Sequence, residues 1–188
     1  MTIMSNFASS FVNFDIPNWF DSQHLTGMLR GIEKEGLRVK PDGFLAQTPH
    51  PAKLGSKLTH PFITTDYSES LLELITEPKA SPKETLNMLR QLHVLVYQGM
   101  PDGELMWPLS MPCMLSSKDE DIPLADYGSS NTGKLKTLYR SGLGIRYGRR
   151  MQTIAGLHYN LSFGDTLFET WQAHSPAAQE QTLTEFKN

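Results

Sequence analysis

The sequence predicts an α+β domain built on an antiparallel sheet, and three observations lead there. GIEKEGLRV (31–39) reads as a strand and runs into KPDG (40–43), a turn signal that points to a hairpin. GLHYNLSF (156–163) alternates cleanly: Leu157, Tyr159, Leu161 and Phe163 face one way, His158, Asn160 and Ser162 the other. The strands do not alternate strictly with helices, as a parallel sheet would require.

The elements follow in order. Residues 1–17 end at Pro17 and read as a lead-in; 18–164 read as the folded body; 165–188 read as a helical tail with polar faces. Within the body, Trp19, Phe20, Leu25, Met28 and Leu29 recur at helical spacing, predicting a short helix over 18–30. Residues 44–60, with scattered Pro, Gly and Ser, predict a loop. ESLLELIT (69–76) alternates Glu69, Leu71, Glu73 and Ile75 against Ser70, Leu72 and Leu74; a helix through Asp66, Glu69 and Glu73 is the alternative. The clearest helix starts at Ser81 as cap, with Pro82 first and Glu84 placed for a capping box. Its stripe is Leu86, Leu89, His93 and Val96, and Gly99 closes it. MWPLSMPC (106–113) reads as a loop. A second long helix begins near Asn131, where Leu135, Tyr139, Leu143 and Tyr147 recur every four residues and are core by default.

Bulk properties exclude several function classes. With 39% hydrophobic and 20% charged residues among 188, the chain is long enough for a proper core and has an ordinary globular composition. A net charge of −3 gives no electrostatic reason to expect nucleic acid or an anionic membrane. The single cysteine, Cys113, allows no internal disulfide and reads as a small buried residue. MTIMSNFASSFVNF lacks the basic and apolar regions of a signal peptide, and no apolar run is long enough to span a bilayer. The expectation is a cytoplasmic protein.

The chemistry begins with an anomaly. Period-two alternation puts Glu33 and Glu35 on the same face as Leu37 and Val39, where core residues belong. Lys34 and Arg38 fall opposite, on a face that could be partly wet. Glu73, Asp66, His158 and Asn160 are delivered in the same patterned way by other strands. If those faces align, several carboxylates and an imidazole converge, and carboxylates cannot all stay ionised without a counter-charge. A divalent cation is the usual resolution: hard Mg²⁺ favours carboxylate oxygen, and His158 would suit Mn²⁺ at least as well. The competing reading is a solvated strand edge with E-x-E on it, and the pattern alone favours that. GSSNTGK (128–134) fits a phosphate-binding loop on its face, but Leu135 stands where that motif needs a hydroxyl, and no buried strand precedes it. It reads as a turn into a capped helix, with Lys134 and Lys136 as solvated lysines.

Taken together, GIEKEGLRV, FITTDYSESLLELIT (62–76), MWPLSMPC, YGSSNTGKLKTLYRSGL (127–143), RYG (146–148) and MQTIAGLHYNLSF (151–163) resemble the glutamate–cysteine ligase family in its proteobacterial branch. The resemblance runs in order from about residue 22 to 163 and is to the amino-terminal portion of those enzymes. It implies a glutamine synthetase-like antiparallel sheet curved into a funnel, present here as an incomplete half. It implies that ATP phosphorylates the side-chain carboxylate of L-glutamate and that the amine of L-cysteine attacks the γ-glutamyl phosphate. The product, γ-glutamylcysteine, is the first intermediate of glutathione biosynthesis. The family's metal ligands match Glu33, Glu35, Asp66, Glu73 and His158, with Mg²⁺ or Mn²⁺ expected. Its cysteine pocket matches Tyr67, Tyr139, Leu143 and Gln152; Asn160 matches an active-site position. Arg140 matches an arginine near the transferring phosphate and is the expected catalytic residue. Family chains are far longer than this one. The alternatives are therefore a non-catalytic fragment, or one piece of a split ligase that binds metal and ATP only with a carboxy-terminal partner chain.

Overall fold

A computed structural model describes residues 17–174, which fall into two compact units. The lead-in up to residue 16 and the tail beyond 174 lie outside the described residues.

The larger unit, Leu29–Leu161, is organised around one long strand, β1 (Leu29–Val39). One edge of β1 pairs with β3 (Leu71–Ile75), which pairs in turn with β2 (Ile63–Thr65). The remaining pairings of β1 are with the two-residue β4 (Leu105–Met106) and with β5 (Leu157–Ser162). Every pair with a defined register is antiparallel, so the predicted class holds, and ESLLELIT is a strand rather than a helix. The 40–43 turn reverses the chain as expected: the Lys40 amide donates to Phe44 O at 2.9 Å, and Val39 bridges Leu45.

Two helices complete this unit. Helix α1 (Pro82–Gly99) buries Leu92 and Val96 against Leu72, Leu74, Ile63 and Leu54 on one face of the sheet. The expected stripe is rotated: Leu86 is 57% exposed, while Val96 is buried and Leu89 packs on the core as read, joined by Thr85 and Leu92. Nor does the capping box form. Ser81 caps with its backbone carbonyl, which accepts from the Thr85 amide and hydroxyl. Helix α2 (Asn131–Tyr147) starts as read, with the Ser130 hydroxyl accepting from the Gly133 amide at 3.1 Å. Its four-residue stripe is not core. Leu135, Tyr139 and Tyr147 are each at least 60% exposed, while Leu143 and Gly144 are the positions that meet the second core. That core holds Leu37, Val39, Tyr67, Leu71, Cys113 and Ile122 on the other face of the sheet.

In the smaller unit, the helix expected over 18–30 shrinks to one 3-10 turn, Ser22–Leu25, capped by Asp21. Gly27, at φ 79°, breaks the helical path, and the chain enters β1 by Leu29. Trp19 stacks on His174 at the end of α3 (Asp165–His174), with ring centroids 5.4 Å apart. Among the described residues no helix is long and apolar enough to cross a membrane.

Candidate functional site

The β1–β3 register explains the misplaced glutamates. Leu37 pairs with Leu71, Glu35 with Glu73 and Glu33 with Ile75, all on one face. At the Leu37–Leu71 end that face is covered by core; at the other it carries acids and is only partly buried. Glu35 and Glu73 are direct cross-strand neighbours, an arrangement that destabilises a sheet when both are charged. Burial first, then the charges of Asp66, Glu35 and Glu33, pushes the Glu73 carboxyl up to about 7. Burial, then the Glu35 charge, also raises Asp66, against the pull of Arg140.

Other groups close around these acids. The Glu35 amide donates to Gly156 O at 2.9 Å, and its carboxylate accepts from the Gly156 amide at 2.6 Å. His158 Nε2 lies 3.3 Å from the same carboxylate. The imidazole folds back over Gly156, so that a Cβ there would push the His158 ring aside. Asn160 Nδ2 donates to Glu33 Oε1 at 2.8 Å. From α2, Arg140 Nε donates to the Asp66 carbonyl, and Nη2 stands 3.5 Å from the Asp66 carboxylate. Glu33, Glu35, Asp66, Glu73, His158, Asn160 and Arg140 therefore fall into one linked electrostatic neighbourhood. As they stand, no group of three or more His, Cys, Asp or Glu side chains among the described residues is arranged to hold a metal ion.

The remaining positions are more dispersed. Tyr67 is 1% exposed within the second core, its hydroxyl lacks a hydrogen-bond partner, and burial raises its pKa. Tyr139 and Leu143 line a shallow cavity of about 280 Å³ on α2, together with Leu138, Gly142 and Ile145. Gln152 sits in a 3-10 turn (Arg150–Thr153) just before β5. Cys113 is buried as expected, and burial raises its thiol pKa.

The chain spans only 26–33% of the length of the curated relatives it matches. A family model described as glutamate-cysteine ligase matches residues 17–188. The chain belongs to the glutamate–cysteine ligase family. The glutamate–cysteine ligase of Alcanivorax borkumensis is 59% identical over 145 residues, 77% of this chain and 27% of that protein. Its counterpart in Hahella chejuensis is 53% identical over 167 residues, covering 88% and 31% respectively. Among solved structures, the Francisella tularensis glutamate–cysteine ligase, in complex with AMP, superposes with TM-score 0.75 at 46% identity. That match covers 78% of this chain and 29% of the other. A bifunctional glutathione synthetase from Pasteurella multocida gives 0.72 at 34% identity, covering 82% and 19%.

Sequence reasoning within the family did not find two features. Arg38, read as lying on a face that could be partly wet, is fully buried and paired with Glu104; its partners at 48, 69 and 104 are too distant for any local pattern to show. Tyr127 also escaped notice, although it begins the YGSSNTGK segment, and its ring lies 4.6 Å from the Arg140 guanidinium carbon.

Proposed function

We propose that this chain carries the acidic and arginine portion of an ATP-dependent glutamate–cysteine ligase. That enzyme joins the side-chain carboxylate of L-glutamate to the amine of L-cysteine through a γ-glutamyl phosphate. The observation that carries the reading is the Glu35–Glu73 cross-strand pair, with Glu73 pushed up to about 7 by burial first and then by its acidic neighbours.

The donor chemistry fits a hard divalent cation, Mg²⁺ or Mn²⁺. Glu33, Glu35, Asp66 and Glu73 supply oxygen, His158 supplies nitrogen, and their mutual repulsion is what a cation relieves. Bound there, the ion would offset the negative charge of ATP and of the glutamate carboxylate. The chain's own residues do the rest. Arg140, held through Asp66 O and Lys136 O, presents a permanent positive charge to a phosphoryl group gaining negative charge. Asn160 and the Gly156 amide hold Glu33 and Glu35 in place, limiting reorganisation when ligands arrive. Tyr139 and Leu143 offer an apolar wall for a small thiol side chain.

A second reading is a chain that binds metal and nucleotide only alongside a carboxy-terminal partner. It is favoured by the lack of a ready-made donor trio among the described residues. One assay tests both: ADP release from ATP, glutamate, cysteine and Mg²⁺, with and without co-expression of the remaining part of a relative. We expect turnover only on complementation. Turnover by the chain alone would overturn the partner requirement, and silence in both arms would overturn the ligase reading.

A further inference from the structure

We propose that Tyr127 is a positioning residue, whose ring and hydroxyl together hold Arg140 against the Asp66 backbone. Tyr127 is 5% exposed. Its hydroxyl donates to the carbonyls of Thr65 and Asp66, the latter at 2.9 Å, and Arg140 Nε donates to that same Asp66 carbonyl. The Arg140 guanidinium carbon lies 4.6 Å from the Tyr127 ring centroid, within cation–π range. One side chain thus constrains the arginine by its face and the arginine's acceptor by its tip.

The tyrosine is itself fixed from both sides. Its amide donates to Thr137 Oγ1 on α2 at 3.2 Å, and that hydroxyl donates to Ala125 O at 3.2 Å. On its other flank the Asp126 amide donates to the Glu69 carboxylate at 2.7 Å. Glu69 is buried, accepts from the His50 amide at 2.6 Å and pairs with Lys57. The Lys136 ammonium lies 5.2 Å from the same ring, so the tyrosine gathers cations from two points on α2.

Without the ring, Arg140 would keep its bonds to Lys136 O and Asp66 O but lose the surface that fixes the plane of its guanidinium. A misdirected planar fork loses much of its value toward phosphate. The consequence for turnover rests on the ligase reading; the placement of Arg140 does not.

The test reads the Arg140 Nε–H by NMR in the ¹⁵N-labelled 188-residue chain, without substrate, with the signal assigned through Arg140→Lys. In the wild type we expect its exchange with solvent to be roughly tenfold or more slower than that of the exposed Arg90. Tyr127→Phe, which keeps the ring, should retain most of that protection. Tyr127→Leu should lose it by roughly fivefold or more, the scale of a partly desolvated cation–π contact. An unprotected Arg140 in the wild type, or unchanged exchange in a folded Leu variant, would overturn the proposal. Should the Leu variant not fold, cross-relaxation between Tyr127 ring protons and the Arg140 side chain in the wild type decides instead: its presence supports the placement and its absence overturns it. Silence in both arms of the turnover assay with a protected Arg140 would count against the ligase reading and leave this one standing.

Discussion

Arg38 offers the sharpest test of how this fold is held. Its side chain has no solvent exposure, and Glu104 retains 7%. The guanidinium donates to Thr48 Oγ1 and Thr48 O, each at 2.6 Å, to Glu69 O at 3.0 Å, to Pro49 O at 3.1 Å, and to Glu104. Glu104 also accepts from Thr48 Oγ1 at 2.6 Å. Arg38→Met removes the charge and strands Glu104 with several carbonyls in a dry interior; breaking one partner of such a pair costs about 3–5 kcal/mol. With a urea dependence of about 2–3 kcal/mol per molar, the unfolding midpoint should fall by roughly 1.5 M. Combining it with Glu104→Leu should recover about 1–3 kcal/mol, because no charge is then left unpaired. Urea titration followed by far-UV circular dichroism measures all three variants. A loss below about 1 kcal/mol for Arg38→Met, or a double variant worse than the sum of the singles, would refute the reasoning.

Three further outcomes are expected. His50 is held near 4 by burial first and by the Lys57 charge next, while its ring Nδ1 meets Thr65 Oγ1 at 2.7 Å. Its folded pKa lies below the unfolded value, so the unfolded chain takes up the proton first and stability falls between about pH 6.5 and 4. The loss reaches at most about 3 kcal/mol, and His50→Asn should flatten that part of a urea-midpoint profile; an unchanged profile would exclude His50 as its source. Glu73→Gln should weaken Mg²⁺ binding by roughly tenfold or more with the circular dichroism spectrum intact, and calorimetric titration showing wild-type affinity would remove Glu73 from the site. Leu72, with no exposure and packed in the α1 core, should cost about 2–5 kcal/mol on substitution by Ala; a smaller shift in thermal midpoint would mean that this core collapses around the gap.

Legibility in the sequence followed the range of the interactions. The long strand, the 40–43 turn, the strand at 71–75 and the Ser130-capped helix each announce themselves within a few residues, through alternation, turn chemistry or a cap. The two-residue β4 carries no period to read; it exists because β1 has an edge there to pair with. The outward face of α2 was misread for a related reason. Four-residue spacing gives an apolar stripe but not what lies against it, and Leu135, Tyr139 and Tyr147 stay exposed. At the site, alternation alone put Glu33 and Glu35 on the core face, and the Glu35–Glu73 register then made the anomaly intelligible.

The difference between two charge clusters, one buried and one partly buried, supports the proposed function. In the cluster around Arg38 the ion pairs are matched in sign: Arg38 with Glu104, and the neighbouring Lys57 with Glu69. On the face that carries Glu35, the acids outnumber the cations. Among the described residues Arg140 pairs with Asp66 and His158 with Glu35, and burial first, then the neighbouring acids, pushes the Glu73 carboxyl up to about 7. β1 supplies both clusters, Arg38 to one and Glu33 and Glu35 to the other, so one strand meets matched charge on one face and a surplus of acid on the other. A surplus of negative charge left on one face of such a sheet is stable only at a cost, and that cost is recovered when a cation binds. On the proposed ligase reading that imbalance, more than any single residue, is what suits the face to a cation.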